Sequence, residues 1–218
     1  MMDPELRHRL AAAVSPSGLT HKGAVVVPAT LEAVIAVVRI CAATGTAVRV
    51  SSGGGGVDAL SPPGGIVLNL GQLRAVKVSA PGLTLRAEAG ATVDVVRRAA
   101  AQERLDAIGL PEERDATHIG ALVARGEVPR RTLCGIEAVL SSGELVSAGG
   151  AVLKDVVGYD LASVLLGSMG RLAVIVALSV RLEPAKARTP LAEPPGAAAG
   201  PGVLAGAFDP LGLLRARS

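Results

Sequence analysis

Residues 48–57 place a run of glycines directly after a short apolar strand, a pattern that can bind an anionic group. The segment consists of Val48, Arg49, Val50, Ser51, Ser52, Gly53, Gly54, Gly55, Gly56 and Val57. Because glycine has no Cβ, the backbone N–H groups of such a run can surround a phosphate. No Gly-Lys-Ser/Thr follows, and the run does not open a helix with GxGxxG spacing. A pyrophosphate cradle and a flexible turn are both open interpretations.

A second segment, Thr117-His118-Ile119-Gly120, offers a hydroxyl, an imidazole and a glycine that lets a ligand approach closely. It follows Gly109-Leu110-Pro111, and Pro111 belongs to the same candidate site. His118 fits either a packed histidine with hydrogen-bonded nitrogens or a proton-transfer group. We assign no catalytic residue and no metal ligand from the sequence, because no acid–base pair is visible around these positions.

The third segment has the most distinctive spacing in the chain. Its first half is KDVVGYDL, with Lys154, Gly158 and Tyr159, and its second half is GSMGRLAVI, which ends in Val174 and Ile175. Tyr159 is the sole tyrosine, and a buried tyrosine hydroxyl normally needs a hydrogen-bond partner. The residue therefore either anchors a short helix to a sheet or contacts a ligand.

The residues before the glycine run predict a β-α-β unit. Apolar residues recur at helical spacing from Leu31 to Val38, between a capping Thr30 and a terminating Gly45. Short β-branched strands flank this helix at residues 24–27 and 47–50.

Further elements follow from the same patterns. Strands are predicted at residues 66–70, 75–78, 83–89, 136–140, 144–147 and 172–182. Helices are predicted from Thr92 to a point before Gly109, and over residues 161–166. Residues 110–131 lack a clear period and predict a long functional loop.

Composition narrows the class of protein. Half of the 218 residues are hydrophobic but only 1% are aromatic, which favours an aliphatic core of sheets and helices. The net charge of +3 comes from scattered Arg and Lys without neighbouring aromatics, so we expect no nucleic-acid binding. Cys41 and Cys134 show no metal or disulfide spacing and indicate a reducing compartment. We expect a cytoplasmic protein without a transmembrane segment, membrane-associated only through partners.

Together, the three segments resemble the PCMH-type FAD-binding domain of the vanillyl-alcohol oxidase family, which glycolate and D-lactate oxidases share. In that family a strand leading to GGGT, an A-T-x-G-G segment, and a K-D/N-x-x-G-Y-D-L … G-S-x-G-T-L-G-V-I run recur in this order. KDVVGYDL and GSMGRLAVI are most similar to the FAD-binding subunits of glycolate oxidases. The chain departs from the pattern at Gly56, where the family has threonine, and at Ala121 and Ala173, where it has glycine.

The resemblance implies an α+β fold of two subdomains with non-covalent FAD in the crevice between them. Residues 53–57 are expected to hold the pyrophosphate, and residues 117–120 to close over the phosphates and the ribityl chain. Ile136 is expected near the adenine, and Val174 and Ile175 near the flavin. The remaining expected cofactor residues are Ser52, Pro111, Lys154, Gly158 and Tyr159.

The expected organisation has three parts. Residues 1–82 form the N-terminal FAD-binding subdomain, residues 83–184 the second, and residues 185–218 a linker and tail rich in Pro, Ala and Gly. Relatives with substrate chemistry continue into a cap domain, which we expect to be absent here. Residues 207–214 resemble the family's C-terminal F-D-P signature.

The resemblance implies an FAD-binding subunit of a glycolate-oxidase-like complex that oxidises a 2-hydroxy acid. Its expected partners are a full-length flavin subunit and an iron–sulfur subunit. Two alternatives remain open: a non-catalytic scaffold that has lost FAD, motivated by Gly56, Ala121 and Ala173, and a complete small oxidase that acts alone.

Overall fold

The computed structural model of the protein describes residues 2–20, 24–52, 62–149 and 160–185. Within these ranges the chain forms five α-helices and ten β-strands, which build two separate sheets. Helices and sheets occur in mixed order, so the predicted α+β class is confirmed.

The first sheet uses the N-terminal part of the chain. Its elements are α1 (Pro4–Ala13), β1 (Leu19–Thr20), β2 (Val25–Val26), α2 (Leu31–Thr44), β3 (Val48–Ser51) and β4 (Ile66–Asn69). The strand order is β1-β2-β4-β3, with β2, β4 and β3 parallel and β1 antiparallel to β2. Strand β3 is therefore an edge strand, and the glycine run follows its C-terminal end.

Helix α2 forms where its sequence predicts it. The Thr30 hydroxyl accepts a hydrogen bond from the backbone N–H of Ala33, and Gly45 ends the helix in the left-handed conformation at φ 64°. The buried face of α2 packs on the first sheet through Val34, Val37 and Cys41. The predicted β-α-β unit is confirmed.

The second sheet uses the rest of the described chain. Its region contains β5 (Val76–Ser79), β6 (Thr84–Glu88), α3 (Val93–Gln102), β7 (Leu105–Ala107), α4 (Ile119–Arg125), β8 (Leu133–Val139), β9 (Leu145–Gly149), α5 (Leu161–Leu165) and β10 (Val174–Pro184). The order β5-β6-β10-β8-β9 is antiparallel throughout, and β7 pairs with the C-terminal end of β10. Short 3-10 helices lie at Pro16–Gly18, Glu112–Arg114 and Arg130–Thr132.

Two apolar cores result, one for each sheet. Helices α3, α4 and α5 cover the second sheet and bury residues such as Val96, Leu122 and Leu165. Strand β10 serves both cores, because Val174 and Val176 pack in the first and Ile175 in the second. The chain changes sheet between residues 69 and 76, and residue 82 lies in the turn that joins β5 to β6.

The predicted long functional loop at residues 110–131 is not a loop throughout, because this stretch contains α4. The predicted helix after Thr92 ends at Gln102, earlier than expected, and the short strand β7 follows. A seven-residue helix and a three-residue strand are too short to show a period. Tertiary packing against the second sheet forms them instead.

Both cysteines are free thiols. Cys41 is fully buried in the first core, and burial raises the pKa of its thiol to about 12. Cys41 therefore behaves as a small apolar side chain. Among the described residues, no helix has both the length and the apolar character needed to cross a membrane.

Candidate functional site

A cavity of about 720 Å³ lies between the end of the first sheet and helix α4. Strand β3 and its continuation form one wall, α4 and the residues before it form the second, and the turn before β10 closes a third side. The lining residues are Val48, Arg49, Val50, Ser51, Ser52, Leu70, Ala89, Arg114, Ala116, Thr117, His118, Gly120, Ala121, Ala124, Arg125, Met169, Gly170, Arg171 and Ile175.

The β3 wall is held by the parallel pairing of β3 with β4. Val48 pairs with Ile66 in the register, and the carbonyl oxygen of Ser51 accepts a hydrogen bond of 2.7 Å from the N–H of Leu70. This pairing fixes Ser51 and Ser52 at the cavity. The glycine run begins at the next residue, so the chain enters it at the cavity edge.

Helix α4 is held at both ends by backbone hydrogen bonds. At its start, the N–H groups of Ile119 and Gly120 donate to the carbonyl oxygens of Ala91 (2.9 Å) and Ala89 (3.0 Å). At its end, the N–H of Met169 donates to the carbonyl of Ala124 at 2.7 Å. The first N–H groups of α4 are therefore used within the fold and are not free for a phosphate.

Gly120 is required by packing. A Cβ at this position would lie 2.6 Å from the Cβ of Ala89 and 2.9 Å from its carbonyl oxygen. Neither contact can relax by moving a flexible side chain, since one partner atom is backbone and the other is attached directly to it. The glycine thus lets α4 approach the strand end at Ala89.

The third side of the cavity is the turn at residues 167–171. Met169 adopts φ 57°, which a residue with a side chain rarely does, and its side chain is exposed. A Cβ on Gly170 would lie 3.6 Å from the Cβ of Val50, so the turn runs close to strand β3. The turn therefore brings Arg171 to the wall that carries Arg49.

The lining is basic. Arg49, Arg114, Arg125 and Arg171 all line the cavity, and the described lining contains no Asp or Glu. Two of these charges are partly neutralised by a carboxylate behind the wall: Glu127 lies 2.7 Å from Arg125 and 3.2 Å from Arg114. The hydrogen bond from Arg125 is the main cause that holds the pKa of Glu127 below its ordinary value.

The other two arginines differ. Neither Arg49 nor Arg171 makes an ion pair with a described residue, and Nε of Arg49 is buried without a hydrogen-bond partner there. A buried donor left without an acceptor costs about 1–3 kcal/mol. Such orphaned donors are uncommon in folded proteins and indicate a missing acceptor.

His118 lies between the two walls at the start of α4. Burial, and secondarily the charge of Arg74, lower the pKa of its imidazole below the ordinary 6.5. The ring is therefore neutral at neutral pH and adds hydrogen-bonding capacity to the cavity rather than charge.

The structure brings together part of the predicted site. Ser52, Thr117, His118, Gly120 and Ile175 line the cavity. The side chains of Ile119, Ile136 and Val174 are buried in the two cores and do not line it, and Pro111 lies outside its lining. Predicted residues outside the described ranges are Gly53, Gly54, Gly55, Gly56, Val57, Lys154, Gly158 and Tyr159.

Sequence reasoning missed the arginines as site residues. Arg49 and Arg171 stand inside the first and third segments, each between apolar neighbours, and that placement was the available signal. Arg114 lies in the stretch predicted to be a loop, where nothing distinguished it from other surface charges. Arg125 lies in the same stretch, and only the folded structure brings all four arginines to one cavity.

Comparison with known proteins identifies the family of the chain. Residues 23–155 match the family model described as FAD binding domain. D-2-hydroxyglutarate dehydrogenase of Xanthomonas citri is 31% identical over 171 residues, which are 73% of this chain and 36% of that protein. Glycolate oxidase subunit GlcD of Bacillus subtilis is 40% identical over 57 residues, which are 26% of this chain and 12% of that protein.

Solved structures share the fold. Alkyldihydroxyacetonephosphate synthase superposes with a TM-score of 0.69 at 15% identity, over 84% of this chain and 41% of that one. The chain spans little more than a third of the length of D-2-hydroxyglutarate dehydrogenase, 36%. The likeness therefore concerns only a part of such proteins.

Proposed function

Since the chain belongs to the FAD binding domain family, we propose that it binds FAD in the cavity and serves as the flavin-holding unit of a 2-hydroxy-acid oxidoreductase. The observation that carries this proposal is the position of the cavity, which lies between the two sheets at the point where β3 leads into the glycine run. FAD, when bound, accepts and passes on one or two electrons.

The residues present fit this cofactor. FAD combines a doubly charged pyrophosphate with flat apolar rings, and the cavity combines four arginines with an aliphatic surface that includes Val50, Leu70 and Ile175. Its volume of about 720 Å³ lies within the range of small-molecule sites. The Nε of Arg49, which has no acceptor among the described residues, supplies a donor that a phosphate oxygen can satisfy. Ser51 and Ser52 would orient the ligand beside the glycine run.

We propose that the binding is non-covalent. Flavin attachment through cysteine needs a thiol at the cavity, but Cys41 is buried in the first core and Cys134 belongs to β8, outside the lining. His118 lines the cavity and is the residue to test. Acid precipitation is expected to release all flavin into the supernatant, and yellow colour retained by the precipitate would contradict this.

An absorbance spectrum tests the main proposal. The purified chain is measured before and after incubation with FAD, with free flavin removed by gel filtration. We expect flavin bands equivalent to one FAD per chain, at least after incubation. A chain that stays colourless under both conditions contradicts the flavin proposal and favours the scaffold alternative, for which Ala121 in the cavity wall is a supporting observation.

The finer proposal is a glycolate-oxidase-like complex with a full-length flavin subunit and an iron–sulfur subunit. Its support is the similarity to GlcD together with the three sequence segments. Co-expression of the three subunits is expected to give a co-purifying complex that reduces a dye with glycolate. If this chain stays in the flow-through while the other two purify together, the complex is excluded.

A further inference from the structure

We propose that Arg49 and Arg171 form a two-sided clamp for the diphosphate of the ligand in the cavity, and that this chain therefore binds adenosine diphosphate groups through charged side chains. This inference rests on the proposed function for the identity of the ligand as FAD. The clamp itself requires only an anionic diphosphate.

The charge distribution singles out these two residues. Of the four lining arginines, Arg114 and Arg125 share the carboxylate of Glu127. Arg49 and Arg171 make no ion pair with any described residue. The described lining of the cavity contains no carboxylate that could pair with them. An anion that enters the cavity therefore meets two positive charges that no described carboxylate neutralises.

The burial of Arg49 adds a second observation. Its Nε is shielded from solvent and lacks an acceptor among the described residues. Arginine presents a planar fork of donors, which matches the geometry of phosphate oxygens and allows two parallel hydrogen bonds. A diphosphate oxygen at this nitrogen would satisfy the donor that the fold leaves open.

The two arginines are far apart in the sequence, at positions 49 and 171, but line the same cavity. A Cβ built on Gly170 would lie 3.6 Å from the Cβ of Val50, so the turn runs close to strand β3. Arg171 and Arg49 are the direct sequence neighbours of these two residues. Their side chains thus border the cavity from the turn before β10 and from strand β3.

Helix α4 offers less to an anion. The backbone N–H groups of Ile119 and Gly120 donate to Ala91 and Ala89. The imidazole of His118 is neutral at neutral pH, because burial and the charge of Arg74 lower its pKa. The start of α4 therefore offers only neutral groups to the diphosphate. The positive charges that recognise it come from strand β3 and from the turn before β10.

Binding of three ligands to four proteins tests the clamp. FAD, ADP and riboflavin are titrated by calorimetry into the wild type and into Arg49→Met, Arg171→Met and Arg181→Met. Methionine keeps the length and removes the charge. Arg181 is the matched control, since it is an exposed arginine on β10, six residues and about 20 Å along the strand from Ile175.

We expect Arg49→Met and Arg171→Met each to weaken FAD and ADP binding about 10- to 100-fold, the usual loss for a charge-assisted hydrogen bond. Riboflavin, which has no phosphate, is expected to bind all four proteins alike. Arg49→Lys is expected to fall between wild type and Arg49→Met, because it keeps the charge but not the fork.

The thermal stability of the ligand-free proteins shows whether Arg49 binds the ligand or instead stabilises the fold. Arg49→Met should unfold at an equal or higher temperature than the wild type, because it removes an unpartnered buried donor. A lower temperature would assign Arg49 to the fold and overturn the clamp.

The outcomes distinguish the two proposals. If the wild type binds FAD and both variants bind it within twofold, the clamp is wrong and the flavin proposal stands. If the wild type binds ADP in an Arg49-dependent way but not FAD, the clamp is supported and the flavin proposal fails. If it binds neither ligand, both proposals are wrong.

Discussion

The two walls of the cavity differ in whether the fold already uses their polar groups. In the α4 wall the polar and conformational features serve the fold: the first N–H groups are bonded to Ala89 and Ala91, Gly120 makes room for Ala89, and Glu127 neutralises the arginines. In the β3 wall and the adjoining turn, Arg49 and Arg171 keep charges that the described fold does not use. A residue that lines a cavity is thus available to a ligand only if the fold has not already engaged it.

The largest expected effect is the loss of stability when a core residue beneath helix α4 is truncated. Leu122 is fully buried in the second core, and Leu122→Ala should lower the free energy of unfolding by about 2–5 kcal/mol. Urea denaturation measures the change. Leu145→Ala is the control, because Leu145 is 42% exposed and its truncation should have little effect. A loss below about 1 kcal/mol for Leu122→Ala would mean that α4 is not held by its core contacts.

The next effect tests whether Gly120 serves packing or ligand approach. Gly120→Ala places a methyl group 2.6 Å from the Cβ of Ala89, which should destabilise the fold by about 1–3 kcal/mol before relaxation. If Gly120 were present only for a ligand, alanine would instead stabilise this helical position by up to about 1 kcal/mol. The sign of the change in unfolding free energy decides between them. An increase in the unfolding free energy would show that packing does not require Gly120.

A smaller effect tests the difference between the paired arginines, Arg114 and Arg125, and Arg49 and Arg171, which make no ion pair with a described residue. Glu127→Gln releases Arg114 and Arg125, so ADP should bind a few-fold more tightly at low salt, and the gain should fade as salt screens the charges. The stability cost should be under about 1 kcal/mol, because these ion pairs are solvent-exposed. Calorimetric titration at two salt concentrations measures the first effect. An unchanged affinity would show that these two arginines do not reach the ligand.

The smallest effect is the pH dependence due to His118. Its folded pKa lies below the ordinary 6.5, so the unfolded chain binds the proton more readily. The contribution to stability is therefore complete above about pH 6.5 and is lost as the pH falls toward the folded pKa. His118→Gln should flatten the change in unfolding free energy between about pH 8 and pH 5.5. Equal slopes for both proteins would contradict this.

Local signals account for the parts of the fold that the sequence predicts. Thr30, the apolar spacing from Leu31 to Val38, and Gly45 determine α2 without help from distant residues. Helix α1 shows the limit of such signals. Asp3 caps it and Pro4 begins it, but only Leu6 and Leu10 are buried, which is too few to display a period. Helix α4 is shorter still and depends on bonds to Ala89, Ala91 and the turn before β10.

The candidate site divides in the same way. Residues of the quoted motifs, such as Ser52, Thr117 and His118, reach the cavity as the motif order indicates. Whether an arginine carries a free charge is a property of the tertiary structure. Arg86 on β6 pairs with Glu137, 51 positions away, whereas Arg49 on β3 finds no such partner among the described residues. No local pattern separates these two strand arginines.

Strand β10 sets the order in which the fold can be completed during synthesis. It lies between β6 and β8 and also contributes Val174 and Val176 to the core of the first sheet. Its residues leave the ribosome about 90 positions after those of β6. One edge of β6 therefore stays unpaired during synthesis. The three parallel strands of the first sheet can already pair in this interval. Pulse-labelled hydrogen exchange on stalled nascent chains should show β4 amides protected before those of β6. Strand β10, which follows the turn that carries Arg171, is thus also the element that ends the exposure of the nascent sheet to aggregation.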